Sequence, residues 1–438
     1  MEGIFEMKIR VSKWSLSKKS RSVEGFLARP AFDAGAEVVA RDVLADIRVR
    51  GDLAVSVYAA KFDGLDLTKI EMLVQPEEIA TAKKEVDAEF KIAANEARKR
   101  IIRFSKAGMK KDWKIPSPKG GILGERFVPY DRVGVYIPAG EAPLASTALM
   151  TAAIAKVAGV PEIVACTPCD KDGEINPYVL YALDLAGATE IYRVGGIHSI
   201  GMMAYGTQSV KKVQKIVGPG GAYVTAAKRQ VYGDVALDLV AGPSEIAVLA
   251  DENANPSHVA MDLLSQAEHG TGWEKALLVT SSQKVLDDVK TEMVKHASNL
   301  TTLDGIKRVA TNGGIMLVKV EDLDQGVELC NRFAAEHLEL MVESPRKWMK
   351  KITCAGAIFL GAWTPESAGD FAAGPSHVLP TGGAAAKFAG LTVDDFRRRS
   401  SFIGFTKADL KETLPIIEAF GRVEGLDAHA RSASIRFE

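Results

Sequence analysis

The spacing of apolar positions changes along the chain and divides it into two kinds of region. Between residues 35 and 110, charged and apolar positions interleave at helical spacing, which predicts helices over 38–50 and 76–106. After residue 132, short apolar runs alternate with longer helical patterns. The predicted strands are 133–137, 162–166, 190–194, 213–217, 246–250, 276–280, 314–318, 338–342, 357–360 and 432–437.

Strands that alternate with helices of ten or more residues indicate βαβ units and parallel sheets. Two sets of strands separate near residue 240, so the predicted fold class is α/β with two Rossmann-like parallel-sheet modules. A helical N-terminal arm precedes them and a small C-terminal segment follows. The predicted domains are an arm (1–28), a first α/β module with a helical part (29–130 and 242–390), a second Rossmann-like module (131–241) and a C-terminal segment (391–438).

Composition narrows the class of protein without identifying a site. The 438 residues include 55 basic and 56 acidic side chains, so the net charge of −1 favours neither nucleic acid nor an anionic membrane as partner. No apolar run approaches the ~20 residues that span a bilayer. Four cysteines are too few for a disulfide scaffold, so a cytoplasmic protein is expected. The N-terminus lacks a signal-peptide core, and both Met1 and Met7 are candidate starts.

The densest group of chemically useful side chains is the run 265–270, Ser-Gln-Ala-Glu-His-Gly. The pattern predicts a helix that ends at a glycine cap, with Gln266 and His269 on one helical face. An amide oxygen and an imidazole in that arrangement can occupy two adjacent positions around a metal ion. A solvated helix end is the alternative.

Two further groups combine carboxylates with histidine. Glu336 and His337 join a predicted helix to a strand, and such a pair suits general acid and base chemistry. Asp370 and His377 lie in a glycine- and proline-rich loop with Glu366 just upstream, where they could bind metal or orient a cationic substrate. The alternatives are a structural histidine in a turn and capping within the loop.

Three other motifs each have a functional and a purely structural interpretation. Gly218-Pro-Gly-Gly221 follows a strand and precedes a helix, where backbone N–H groups can meet a phosphate, or where the chain simply turns. Cys166 and Cys169 form a CxxC that could be redox-active or merely part of a turn. Glu424 and His429 lie near the C-terminus, where a lone histidine is usually solvated.

Taken in order, these motifs resemble the histidinol dehydrogenase family over nearly the whole chain. The runs that carry the resemblance are DIRVRG (46–51), FDG (62–64), RVGVYIP (132–138), GPG (218–220), AKRQV (227–231), AGPSE (241–245), DLLSQAEHG (262–270), EHLE (336–339), GD (369–370), GPSHVLPT (374–381) and LDAH (426–429).

The resemblance implies an enzyme that uses zinc and NAD to oxidise L-histidinol to L-histidine through histidinal, the last step of histidine biosynthesis. By resemblance, zinc is bound by Gln266, His269, Asp370 and His429, the last from the partner of an intertwined homodimer with shared active sites. Glu336 and His337 are then the catalytic pair. The substrate-binding positions are Ser146, Ser244, Gln266, His269, His337, Asp370, His377, Glu424 and His429.

The departures from the family pattern fall on the cofactor side. Tyr136 matches a position that contacts the dinucleotide, but His198 and Gly221 replace the usual Gln and Asn, and Pro-Ala-Gly replaces Pro-Gly-Gly at 138–140. The preference for NAD over NADP is therefore open. The alternatives are a paralogue that oxidises another alcohol or diol, such as a sulfonated propanediol, and a non-catalytic zinc-dependent binding protein. Glu424 suits an ammonium group and so favours histidinol.

Overall fold

The computed structural model describes residues 7–18, 20–29, 33–139, 143–239 and 242–438. Met1, Gly140 and Ala241, which entered the sequence interpretation, lie outside the described residues. In the described part of the chain, no helix combines the length and the hydropathy that a bilayer crossing requires.

Fourteen strands are formed by the described residues. They are β1 (Arg10–Lys13), β2 (Trp113–Pro116), β3 (Ile122–Pro129), β4 (Arg132–Tyr136), β5 (Glu162–Cys166), β6 (Glu190–Tyr192), β7 (Lys215–Val217), β8 (Ala236–Leu237), β9 (Glu245–Ala250), β10 (Lys275–Thr280), β11 (Ile315–Lys319), β12 (His337–Met341), β13 (Ala357–Leu360) and β14 (Arg397–Gly404).

The α-helices of the described residues cover the faces of the sheets and form the C-terminal segment. They are α1 (Arg21–Leu27), α2 (Ala34–Arg50), α3 (Asp52–Tyr58), α4 (Pro76–Glu85), α5 (Ala88–Gly108), α6 (Ala145–Ala148), α7 (Ile154–Ala158), α8 (Pro177–Ala186), α9 (Gly196–Tyr205), α10 (Ala222–Gln230), α11 (Pro256–Ala267), α12 (Gln283–Ala297), α13 (Leu303–Thr311), α14 (Leu323–Phe333), α15 (Pro345–Met349), α16 (Glu366–Ala368), α17 (Lys407–Glu424) and α18 (Asp427–Ser434).

Two parallel sheets organise the molecule, which confirms the predicted α/β class. One has five strands in the order β6-β5-β4-β7-β8, and the other has six in the order β1-β11-β10-β9-β12-β13. Each sheet has apolar cores on both faces, as parallel sheets covered by helices require. In both sheets the strand order reverses beside the first strand of the module, at β4/β7 and at β9/β12.

Residues 337–341 show how this arrangement points side chains toward the site. Leu338 and Leu340 pack into the core on the α14 side of the six-stranded sheet, whereas Met341 packs on the α11 side. Because side chains alternate along a strand, His337 and Glu339 also face α11.

Several elements differ from the sequence interpretation. The run 76–106 was predicted as one helical pattern, but it divides into α4 and α5, with Asp87 capping the start of α5. The strand predicted at 432–437 was wrong, because the chain there continues α18 and ends in a 3₁₀ turn. Within the predicted N-terminal arm, β1 pairs with β11 as an edge strand. The antiparallel sheet β14-β3-β2 was not predicted. The predicted domain boundaries stay a prediction.

Candidate active site

The amino ends of β9 and β12 lie side by side and place Glu336 and His337 in the interior. His337 pairs with Ile246 in the sheet register, so residue 336 lies opposite the start of β9. The backbone N–H of Glu245 donates to Glu336 Oε2 at 3.0 Å. Glu336 and His337 are 5% and 3% exposed, so both are removed from bulk water.

His337 is surrounded by carboxyl groups. Its Nδ1 lies 3.1 Å from Glu366 Oε1 and 3.8 Å from Glu336 Oε2, and its Nε2 lies 3.5 Å from Asp370 Oδ1. Nε2 is buried and makes no well-formed hydrogen bond within the described residues. Ligand atoms of His337, Glu366 and Asp370 all lie within 4.8 Å of one another, close enough to hold a metal ion.

Burial and mutual repulsion change the acidity of this cluster. Burial raises the pKa of Glu336 to about 8 and that of Glu366 to about 7, since a charged carboxylate loses hydration there. Burial alone would lower the pKa of His337, but Glu366 and Glu336 outweigh it and raise the value to about 10. The pKa values of the two glutamates are thereby shifted toward neutral pH, whereas the imidazole is stabilised in its charged form. Strongly shifted pKa values in a buried cluster are typical of sites of proton transfer.

The structure brings Gln266 into this cluster but leaves His269 at its edge. Gln266 is fully buried on α11, and its amide lies 3.2 Å from His337 Nδ1 and within 3.0 Å of Glu366 Oε1. The helix ends at Ala267, so His269 lies in the exposed turn before Gly270, whose φ is +69°. The prediction that Gln266 and His269 share a helical face was therefore wrong. His269 nonetheless interacts electrostatically with Asp370.

Three further predicted substrate positions lie around the cluster. Ser244 directly precedes β9 and is half-buried. His377 Nε2 lies 3.0 Å from Thr147 Oγ1 on α6, next to the half-buried Ser146. This contact joins the loop after Asp370 to the five-stranded module, so the two modules meet at the site. The role of Ser146, Ser244 and His377 as substrate contacts stays a prediction.

Glu424 and His429 are not brought to the cluster within one chain. Both are exposed, Glu424 at the end of α17 and His429 on α18. These two helices pack mainly on each other. Asp409 holds the start of α17 to the antiparallel sheet by accepting bonds from Ser117 Oγ and from the backbone of Lys119.

The cofactor candidates gather at the opposite, carboxyl edge of the five-stranded sheet. Tyr136 ends β4, and Gly218 follows β7 with φ +118°, so the two meet where the strand order reverses. In open α/β sheets, ligands bind at such a reversal. A Cβ on Gly218 would lie 2.2 Å from Tyr136 O, so the turn has no room for a side chain. Gly221 is the exposed N-cap of α10.

His198 lies at the same edge but is enclosed. It is 1% exposed, its Nε2 lies 2.9 Å from Asp63 Oδ2, and its ring faces Phe62. Tyr136 is also buried, and its hydroxyl accepts the Gly196 N–H at 3.3 Å. Burial raises the pKa of Tyr136 to about 12. Both side chains are enclosed in this structure, and their role as cofactor contacts stays a prediction.

The CxxC motif has none of the features of a redox pair. Cys166 is fully buried on β5, and burial raises the pKa of its thiol. Burial also raises the pKa of Cys169 to about 11. Reactive thiols need the opposite shift.

Glu366 is a functional candidate that the sequence marks only as a carboxylate upstream of Asp370. It contacts His337 Nδ1 directly and is 2% exposed. Its acidic side chain in an apolar, glycine-rich stretch was the available signal, but its partner is 29 residues away in sequence.

Comparisons with known proteins agree with this arrangement. The sequence profile of the histidinol dehydrogenase family matches residues 29–437. A histidinol dehydrogenase from Heliobacterium mobile is 44% identical over 406 residues, which cover 93% of this chain and 95% of that protein. One from Listeria monocytogenes is 43% identical over 400 residues, which cover 91% and 92%. The crystal structure of histidinol dehydrogenase from Elizabethkingia anophelis superposes with a TM-score of 0.93 at 35% identity, covering 99% of each chain. A chain that matches this family from end to end, and that buries an acid–histidine pair where its two modules meet, belongs to the histidinol dehydrogenase family of oxidoreductases.

Proposed function

We propose that the protein carries out the zinc-dependent, NAD-linked oxidation of L-histidinol to L-histidine through histidinal. The observation that carries the proposal is the buried arrangement of His337 between Glu366 and Asp370, with Glu336 3.8 Å from the ring. Family membership supplies the reaction class. The arrangement supplies the groups that such a reaction needs.

The donor set fits a zinc ion. The carboxylate of Asp370 and the amide of Gln266 lie on either side of the His337 ring, and His269 interacts electrostatically with Asp370. Nitrogen and oxygen donors of this kind are usual zinc ligands. In the proposed set, Gln266, His269 and Asp370 come from one chain and His429 from a partner subunit. When bound, zinc would supply a positive charge that holds the substrate imidazole and amine in place.

The mechanism follows from what the side chains can do. Contact with Glu366 fixes the Nδ1 side of His337 and leaves Nε2 for proton transfer. The surrounding carboxylates raise the pKa of His337, and a bound zinc ion would lower it again, so that Nε2 could accept the hydroxyl proton.

The first oxidation converts the alcohol to the aldehyde. In the second, Glu336 accepts a proton from the water that adds to the aldehyde. NAD, with Tyr136, His198 and Gly221 as its proposed contacts, would supply the hydride acceptor for each oxidation when bound. The pKa of about 8 for Glu336 suits proton exchange near neutral pH.

The C-terminal helices supply the argument for a homodimer with shared sites. An apolar row on α17, formed by Ile416, Phe420 and Val423, is 58%, 63% and 79% exposed. Its spacing of three and four residues is that of a helix face made to pack against another surface. The proposed dimer has a second copy covering this row, with Glu424 and His429 contributed to the active site of that copy.

The test is a substrate comparison that follows NADH formation. Purified protein is assayed with histidinol, with a sulfonated propanediol and with plain diols, using NAD and NADP in parallel. We expect turnover of histidinol to two equivalents of NADH. A chelator should abolish it, and added zinc should restore it. Turnover of the diols but not histidinol, or full activity in metal-free protein, would refute the proposal.

A further inference from the structure

The turn formed by residues 268–272 follows α11 and carries His269. Helix α11 ends at Ala267, so His269 lies beyond the last helical residue, and it is exposed. Gln266, three residues earlier, is fully buried beside His337. One end of the turn is thus fixed by α11. The position of the His269 imidazole then depends on what holds the backbone of the turn itself.

Glu274 binds the N–H groups of this turn. The residue is 1% exposed and directly precedes β10. Its Oε1 accepts the backbone N–H of Thr271 at 3.1 Å and the Thr271 hydroxyl at 2.6 Å. Its Oε2 accepts the backbone N–H of Gly272 at 2.9 Å. Both oxygens of a buried carboxylate are therefore satisfied by the turn, as burial requires.

Residues of α13 and of its C-terminal end bind the carbonyl groups of the same turn. Arg308 Nη1 donates to Gly270 O at 2.7 Å, and Asn312 Nδ2 donates to Gly272 O at 3.1 Å. Arg308 and Asn312 are exposed, whereas the opposite, apolar face of α13 packs into the core that also contains α11. The turn is consequently held against a helix that is itself fixed to α11.

Two glycines allow the turn to lie directly on α13. Gly270 has φ +69°, a left-handed conformation that favours glycine. A Cβ on Gly270 would lie 2.9 Å from Gly305 Cα, and a Cβ on Gly305 would lie 3.0 Å from Gly270 Cα. Neither position has room for a side chain, so backbone meets backbone one residue after His269.

We infer that Glu274, Arg308 and Asn312 are positioning residues, which hold the turn so that the His269 imidazole is directed to the proposed zinc site. Groups that orient a metal ligand contribute to metal affinity although they do not bind the metal. The bonds of these three side chains go to the backbone of the turn and to Thr271, so they act through the turn. The inference rests on the proposed function for the role of His269.

The test measures zinc affinity of the full-length protein by competition with a chromogenic chelator, at a temperature where the variants are folded. Glu274→Gln keeps an acceptor for Thr271 but turns an NH₂ group toward the Gly272 N–H. It should weaken zinc binding by about tenfold, the lower end of the usual cost of losing an orienting group.

Arg308→Met tests the same turn from the exposed side, where the substitution leaves the core intact. It removes the bond to Gly270 O and should weaken zinc binding by about fivefold, the equivalent of one hydrogen bond. Arg308→Lys keeps a cationic donor and should recover most of the affinity. Equal losses in Arg308→Met and Arg308→Lys would contradict a role for the donated bond.

A double-mutant cycle asks whether the effect passes through His269. In protein that already carries His269→Ala, adding Arg308→Met should change zinc affinity no further, because no imidazole remains to be positioned. The same fivefold loss with and without His269 would overturn the inference, since it would reveal a general structural effect.

Asp251→Asn is the matched control for Glu274→Gln. Asp251 is a buried carboxylate that directly follows β9 and accepts the backbone N–H groups of Asn253 and Glu343. Its replacement should lower thermal stability and leave zinc affinity unchanged. A loss of zinc affinity as large as that of Glu274→Gln would show that destabilisation alone is sufficient, and would overturn the inference.

The remaining results separate the inference from the proposed function. Native zinc affinity in folded Glu274→Gln and Arg308→Met would overturn the positioning role. Failure of the native protein to bind zinc, or native zinc affinity in His269→Ala, would overturn the proposed function instead. Amide hydrogen exchange over residues 268–274 would then still decide whether the turn is held as inferred. It should accelerate in both variants, and unchanged exchange would overturn the inference as well.

Discussion

Both parallel sheets gather charged side chains at the amino ends of their strands, but the two groups differ in how their charges are balanced. In the five-stranded sheet, Arg132 at the start of β4 lies 2.6 Å from both Glu162 and Glu190, which begin β5 and β6. Burial alone would lower the pKa of Arg132, but these glutamates hold it above its usual range. Glu162 and Glu190 also keep 47% and 29% of their side chains exposed to water.

In the six-stranded sheet, Glu336, Glu366 and Asp370 surround one imidazole, and both glutamates are almost wholly buried. Two of these carboxyls have raised pKa values, whereas Glu190 has a lowered one, mainly because it is hydrogen-bonded to Arg132. In the first group, Arg132 bonds both glutamates and links the three strands that carry them. In the second group, three carboxyl groups surround a single imidazole, so the group can still take up a proton, a metal ion or a cationic substrate.

The largest expected effect comes from removing one proposed zinc ligand beside the second group from each of two chains. His269→Ala and His429→Ala should each be inactive, because each removes a proposed zinc ligand. Mixing the two should restore about a quarter of the native sites, since half of randomly formed dimers are mixed and each would have one intact site. Activity and zinc content are measured after subunit exchange. Mixed dimers that form but stay inactive would place His429 outside the partner's site.

The next effect separates the two oxidation steps. Glu336→Gln should slow histidinal oxidation by about 10²–10⁴-fold and affect histidinol oxidation less, because only the second step needs a base for water. Single-turnover rates with each substrate provide the measurement. The control is Glu162→Gln, which alters the first group and should leave both rates unchanged. Equal losses in the two steps would contradict the role of Glu336.

Replacing Arg132 in the first group should change the stability of the fold and leave zinc binding unaffected. Arg132→Met removes hydrogen bonds to two carboxylates and should lower the free energy of unfolding by about 1–3 kcal/mol. Zinc affinity should not change, because the metal site lies in the other sheet. Denaturant unfolding and zinc titration test both parts. A variant that folds normally but loses zinc would show that the two groups are coupled.

The smallest expected effect is the pH dependence of the stability lost in Arg132→Met. The pKa of Glu190 is lowered in the folded chain, chiefly by Arg132, relative to an unfolded value of about 4.3. The stability from this contact is therefore present above the unfolded pKa and is lost as the pH falls through the folded one. The stability difference between the native chain and Arg132→Met should shrink below about pH 4. A difference that is constant down to pH 2 would exclude this linkage.

Sequence patterns predicted the buried strands because such strands are apolar on both faces. The predicted bounds of 162–166 and 357–360 coincide with β5 and β13. The patterns did not predict strands that are half-exposed and whose pairing partner is distant in the sequence. β14 begins with three arginines and pairs with β3, about 270 residues earlier, so nothing local marks it as a strand. The run 432–437 alternates like a strand but is helical in the folded chain.

The candidate site, like the fold, could be predicted only in part from the sequence. Adjacent or clustered residues such as Glu336 and His337 were visible in sequence. The contact of Glu366 with His337 depends on the packing of α16 against β12 and could not be read from spacing. His269 was visible in sequence as a candidate metal ligand beside Gln266, but α11 ends two residues before it, so the predicted helix does not reach His269.

The turn at Gly218 has a consequence for the energetics of ligand binding. Lys228 Nζ donates to Gly218 O at 2.7 Å and pairs with Asp238, whose other oxygen accepts the Gly218 N–H at 2.7 Å. The Lys228 and Asp238 side chains are almost wholly buried, and their bonds to Gly218 fix the turn without a ligand. The conformational entropy of ordering the turn is lost during folding, so the dinucleotide proposed to bind there would meet a preorganised surface. Replacing Lys228 or Asp238 should therefore alter the affinity for that dinucleotide, even though both side chains are almost wholly buried.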